Sequence, residues 1–142
     1  MGEPDPAVVP MLAYEDGPAA MDWLARAFGF IERARMVGPD GRLTHGEMST
    51  GGEGLIMLAT PTADYESPKP GPGSPPARFA RHLPRSGEES VLVYVENVDA
   101  HIEQARAAGA TILSKVESGG PGRRYRVEDL EGHRWMFMER GH

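Results

Sequence analysis

The sequence contains no cysteine. That absence excludes a disulfide scaffold, a thiolate nucleophile and any zinc or iron–sulfur site built on cysteine. An excess of positive charge is missing too: 15 Lys and Arg stand against 21 Asp and Glu, a formal net charge of −6. A surface that follows nucleic-acid phosphates needs Lys and Arg to replace counterions, so no nucleic-acid partner is expected. No apolar run approaches the ~20 residues of a membrane span, so no membrane partner is expected either. The opening Met-Gly-Glu-Pro-Asp-Pro is acidic and lacks the basic-then-apolar layout of a secretory signal, which sets the expectation of a cytoplasmic protein. No loop is fit to cradle phosphate, since Gly71-Pro72-Gly73 has proline where N–H donors are needed.

What is present is unevenly spread. Seven of the 13 prolines fall between Pro61 and Pro84. Proline fixes φ and removes a donor, so this stretch is neither a regular helix nor a central strand. It divides the 142 residues into a first module over 8–60, a Pro-rich linker over 61–89 and a second module over 90–140. The modules share a pattern at a shift of about eighty residues. Tyr14-Glu15-Asp16 and Ala25-Arg26-Ala27-Phe28-Gly29 match Val95-Glu96-Asn97 and Ala105-Arg106-Ala107-Ala108-Gly109.

Each module opens on an apolar run, Val8–Tyr14 or Val91–Val95, whose length and branched residues suit a buried strand. A capping residue follows, Asp16 or Asn97, because free helix N–H groups want a side-chain acceptor. Helical spacing of Met21, Leu24 and Phe28, and of Ile102 and Ala105, then ends on Gly29 and Gly109. Three strands come next in each module: Phe30–Val37, Arg42–Met48 and Leu55–Ala59 in the first, Thr111–Val116, Arg123–Val127 and Trp135–Met138 in the second. Gly38-Pro39-Asp40-Gly41 and Gly119-Gly120-Pro121-Gly122 mark turns. The expected fold is α+β: two βαβββ modules forming a curved mixed sheet around a cavity, with helices outside.

Asp16, Ala27-Phe28-Gly29-Phe30, Val95–Ala100, Ala108-Gly109-Ala110 and Tyr125–Trp135 together resemble the vicinal oxygen chelate superfamily of glyoxalase I, bleomycin-resistance proteins and extradiol dioxygenases. Pro10-Met11-Leu12 and His45-Gly46-Glu47-Met48 resemble its PhnB-like branch. The resemblance implies a small-molecule partner and a homodimer. It also implies where a metal would sit in the metal-dependent members: at positions that fall near Val9, Met57, Ser90 and Met136 in this chain. Apolar and thioether side chains serve hard or borderline ions poorly, so no cofactor is expected, with a divalent metal only at an atypical site.

Other polar residues are candidates for the site. His45 and Glu47 alternate on one strand and share a face, as a base with its orienting partner, two ligands of an unusual site, or a solvated pair. Met57, Tyr94, Arg126 and Trp135 complete the expected ligand-binding set, with Trp135 either stacking a planar ligand or filling the core. Arg126 with Glu128 reads as a surface ion pair, His133 as a solvent-facing turn residue, and His82 and His101 as lacking neighbours at metal spacing. In the linker, Arg78, Phe79, Arg81 and His82 make either a lid or a tether.

Two functions stay open. One is a metal-free protein that binds a small molecule in a cavity or dimer groove, where Glu47, Glu53 or Glu128 would suit a cationic guest. The other is a lyase, isomerase or dioxygenase that uses a displaced metal site around His45 and Glu47, or a metal-free acid–base catalyst.

Overall fold

The computed structural model describes residues 6–68 and 90–140. Its elements run β1 (Met11–Ala13), α1 (Gly17–Phe28), β2 (Ile31–Val37), β3 (Leu43–Ser49), β4 (Leu55–Ala59), β5 (Val91–Val95), α2 (Val98–Ala107), β6 (Thr111–Ile112), β7 (Arg124–Glu128) and β8 (Arg134–Glu139). They form two mixed four-stranded sheets, ordered β1-β4-β3-β2 and β5-β8-β7-β6, and no closed barrel. In each, the first strand runs parallel to the last and the other pairings are antiparallel. The readings placed on Gly71-Pro72-Gly73, Arg78, Phe79, Arg81 and His82 lie outside the described residues.

Local chemistry sets the element ends. Asp16 and Asn97 cap the helices, accepting from the N–H groups of Ala19 (3.1 Å) and Ala100 (3.0 Å). Pro18 opens α1 and Gly29, at φ 77°, closes it in the left-handed region. Two strands are shorter than the apolar runs suggest. The β1 ladder begins only at Met11, with Pro10 contributing its carbonyl to Met57 N–H. After Ile112 the chain leaves the ladder: Leu113 and Ser114 N–H both turn to the Arg126 carbonyl, and only an isolated Glu117–Arg124 bridge follows.

The core occupies the helix-facing side of both sheets. Met48, Ile56 and Leu58 of the first sheet, and Tyr125, Val127, Trp135 and Phe137 of the second, are buried with Met21, Leu24, Phe28, Ile102 and Ala105 of the helices. Close approach within this core demands glycine at Gly17 and Gly46. A Cβ on Gly17 would stand 2.3 Å from Leu43 Cβ, and one on Gly46 would stand 2.8 Å from Met21 Sδ.

The modules share this core. Phe28 packs edge-on against Phe137 and Trp135, with ring centroids 4.7 and 5.7 Å away. Trp23 Nε1 donates to the Ala108 carbonyl at 2.9 Å. The most buried link is polar. Asp129, fully enclosed, accepts from Tyr14 Oη (2.6 Å) and Trp135 Nε1 (3.0 Å) on one oxygen, and from Glu131 and His133 N–H (both 3.0 Å) on the other. Glu131 accepts from the N–H groups of Glu15 and Asp16, fixing the entry to α1.

Candidate functional site

With the helix side filled, chemistry is left to the opposite sheet faces. On the first sheet that face carries Met11, Met57 and Glu47 in one cross-strand row, since Met11 pairs with Met57 and Met57 with Glu47. His45 lies two residues along β3, opposite Met36 of β2. His45 Nε2 is 2.7 Å from Glu47 Oε2, and both side chains are partly exposed. A hydrogen bond of this kind fixes the ring and leaves Nδ1 as the nitrogen not engaged by Glu47. Large apolar side chains lie in the open beside it: Met11 is 78% exposed and Met36 59%.

The corresponding face of the second sheet carries Leu92, Met136 and Arg126 in one row and Tyr94, Met138 and Arg124 in the next. Tyr94 is 43% exposed, and the Arg140 guanidinium lies 4.3 Å above its ring centre, a cation–π contact. Arg126 is half-buried and donates its backbone N–H to Ser114 Oγ.

Several expected placements change. Trp135 falls on the other face of β8 from Met136 and is fully buried, its indole N–H spent on Asp129, so it packs the core and cannot stack a ligand from solvent. Glu128 is no surface residue: its carboxylate is buried and pairs with Arg134 Nε at 3.1 Å. His133 is half-buried rather than solvent-facing, with Nε2 2.6 Å from the Ala13 carbonyl and its ring edge-on to Tyr14. His101 is buried between Phe137, Phe28 and Tyr125, with Nδ1 2.6 Å from Tyr125 Oη and Nε2 3.0 Å from the Phe28 carbonyl. Burial pushes its pKa below 6.5, partly offset by the Phe28 bond. Burial also raises Tyr14 well above its ordinary value, with the adjacent Asp129 adding to the effect. Glu131 is raised by burial against the two N–H bonds it accepts.

The three acids offered as alternatives for an acidic lining stand in different places. Glu47 is on the first sheet and Glu128 on the second. Glu53 stands in the β3–β4 turn, beside a cleft of about 940 Å³ bordered by Thr50–Ile56, β5, Phe28 and His101. Of the expected ligand-binding set only Tyr94 lines that cleft, with Glu53 of the expected acids beside it. The His45–Glu47 face is open in a single chain, whereas the cleft lies along the outer edge of β5, the edge away from its β8 partner, which pairs with no strand among the described residues.

The fit to a divalent metal is poor. Of the four positions implied by the resemblance, Met57 and Met136 bring thioethers, Val9 nothing, and Ser90 a lone hydroxyl. Among the described residues no three His, Asp or Glu side chains converge as an ion-binding group. No described helix is long and apolar enough to cross a membrane.

This fold, with paired βαβββ modules and one open face on each sheet, defines a family. The sequence profile of the glyoxalase/bleomycin resistance protein/dioxygenase superfamily matches residues 8–137, and the chain belongs to it. An uncharacterised protein of Mycobacterium bovis is 32% identical over 136 residues, spanning 94% of this chain and 82% of its own. TioX from Micromonospora sp. ML1 is 32% identical in sequence and superposes with a TM-score of 0.67 over 96% of this chain and 98% of its own. TnmS3, an antibiotic-binding protein from Streptomyces sp. CB03234, shares the fold at 17% identity, with a TM-score of 0.63 over 98% of this chain and all of its own (100%).

Proposed function

We propose that this chain binds an apolar or aromatic small molecule on the methionine-lined faces of its sheets, without a divalent metal and without turning the ligand over. One observation carries the reading: large apolar side chains are exposed around a few polar groups, while among the described residues no donor set for a divalent ion converges. Ligand sites are commonly apolar surfaces with a small number of placed polar groups, and methionine adapts its shape to a guest. His45, Glu47 and Met57 on one face and Tyr94 and Arg126 on the other are the contact residues in this reading. The antibiotic binding named for TnmS3 is consistent with it.

The same exposure supports a homodimer. Met11, Ile31 and Met36 on the first module and Leu92 and Tyr94 on the second form apolar patches that a single chain leaves in water. Bringing the first-sheet face of one protomer against the second-sheet face of its partner would enclose both and give the ligand two walls. Cytoplasmic residence is part of the same proposal.

The test is thermal unfolding of chelator-treated protein against a panel of aromatic antibiotics, with and without Ni²⁺, Zn²⁺, Mn²⁺ and Mg²⁺. A ligand at a hundred times its dissociation constant adds about 2.7 kcal/mol of apparent stability. The reading expects a saturable shift from at least one compound that the ions do not alter, with the compound recovered intact. Stabilisation that appears only with an ion, or chemical conversion of the compound, sends the function to the lyase, isomerase or dioxygenase class.

A further inference from the structure

The geometry points to a site for a soft monovalent d¹⁰ ion, of the Cu(I) class, on the open face of the first sheet, held by His45 Nδ1 and the thioethers of Met36 and Met57. Three independent features meet there.

The first is the His45–Glu47 bond. A histidine that ligates a metal almost always gives its other ring nitrogen to a carboxylate, a backbone carbonyl or water, which fixes the ring and raises its basicity. His45 Nε2 is engaged in that way at 2.7 Å, which leaves Nδ1 as the ligating atom. The second is register. Met36 stands directly across from His45, and Met57, opposite Glu47, is its diagonal neighbour. Diagonal partners are about 7–8 Å apart, within reach of long side chains. Met11 lies next to Met57 as a reserve thioether.

The third is the chemistry of the donors. Thioether and imidazole select soft ions such as Cu(I), while hard ions want oxygen. The feature that disqualifies the chain for a divalent ion therefore qualifies it for a soft one. Methionine is also sorted between faces: Met21 and Met48 are fully buried on the helix side, whereas Met11 and Met36 are exposed on the opposite one. One neutral imidazole and two neutral thioethers leave the ion its single positive charge, which the Glu47 carboxylate, one bond away, offsets. No cysteine competes for the ion. This inference is independent of the small-molecule reading, since the ion is tested with no organic ligand present.

The experiment uses Ag⁺ as a redox-inert probe, added to the chelator-treated full chain labelled at the methionine methyl groups. Calorimetry gives stoichiometry and affinity, and NMR identifies which methyls respond. One ion per chain is expected, shifting the Met36 and Met57 methyls and leaving Met21 and Met48 in place. Glu47→Gln, which keeps the shape but weakens the orienting bond, should lower affinity about 10–100-fold. His45→Ala should lower it further, and the Met36→Leu/Met57→Leu double variant should remove saturable binding with unchanged unfolding temperature in the absence of Ag⁺. Absence of saturable binding, equal affinity in His45→Ala, or shifts that fall equally on Met21 and Met48 would overturn the site.

Discussion

Replacing Asp129 by Asn exchanges one carboxylate oxygen for an amide nitrogen at nearly unchanged shape, yet it should be among the most damaging single changes in the chain. The Oδ2 atom accepts from both Tyr14 Oη and Trp135 Nε1, and the residue is fully buried. An amide nitrogen at that place meets the Trp135 N–H donor against donor, while the Tyr14 hydroxyl keeps a bond only by turning to accept. If the amide flips, the conflict passes to the Glu131 and His133 N–H groups bound by Oδ1. Each hydrogen bond to a charged group contributes about 1.5–3 kcal/mol, and the residue is fully buried. Loss of the Trp135 bond and weakening of the Tyr14 bond, incompletely additive, give about 2–4 kcal/mol, a large share of the roughly 5–15 kcal/mol that holds a domain together. Tyr14→Phe removes only one bond and should cost about 1.5–3 kcal/mol. Urea unfolding followed by circular dichroism measures both, provided the slope against urea is unchanged. A loss below about 0.5 kcal/mol for Asp129→Asn would refute the view that this carboxylate fastens the two modules.

Other outcomes follow from the same structure. Gly17→Ala should destabilise by about 1–3 kcal/mol, because its Cβ would overlap Leu43 Cβ at 2.3 Å, and urea midpoints report this directly. His101, with a folded pKa below 6.5, binds its proton less readily than in the unfolded chain. Its contribution is complete above that value and is lost as pH falls through the folded pKa, so wild type should lose stability on acidification more steeply than His101→Gln. Glu131 has the opposite sign: its raised folded pKa favours the native state at pH values below 4.5, and that contribution is lost as pH rises through the folded pKa. Glu131→Gln should therefore flatten the fall in stability above pH 4.5 seen by pH-resolved unfolding. Tyr94→Ala should leave the unfolding midpoint within about 0.5 kcal/mol while weakening a bound aromatic compound in calorimetry, since the ring is exposed and held only by Arg140.

Fold and site differed in how far the sequence revealed them. Capping residues and glycine stops located both helices, and apolar runs with turn signals located the strands, because these are local signals. The Glu47–Met57 pairing is likewise set by the short hairpin between β3 and β4. Contacts made across 115 residues carry no such signal. Asp129 and Glu131 looked like turn residues, and only the packing of the modules turns them into acceptors for Tyr14 and the start of α1. Trp135 alternates with Met136, and sequence alone did not say which of the two would face the helices. His101 was overlooked because Tyr125 and the Phe28 carbonyl lie 24 and 73 residues away. The methionines were visible from the start, but their division between a buried and an open face appears only when the helices cover one side.

The central claim is that the open sheet faces take a small molecule without help from a divalent ion. Methionine-methyl NMR of chelator-treated protein, titrated with the compound that most raises its unfolding temperature, tests it most directly. The account predicts saturable shifts at Met11, Met36, Met57 and Met136, none at the buried Met21 and Met48, and the same curve after Zn²⁺ or Mn²⁺ is added. Shifts confined to residues lining the β5 cleft, or a curve that needs the ion, would contradict it.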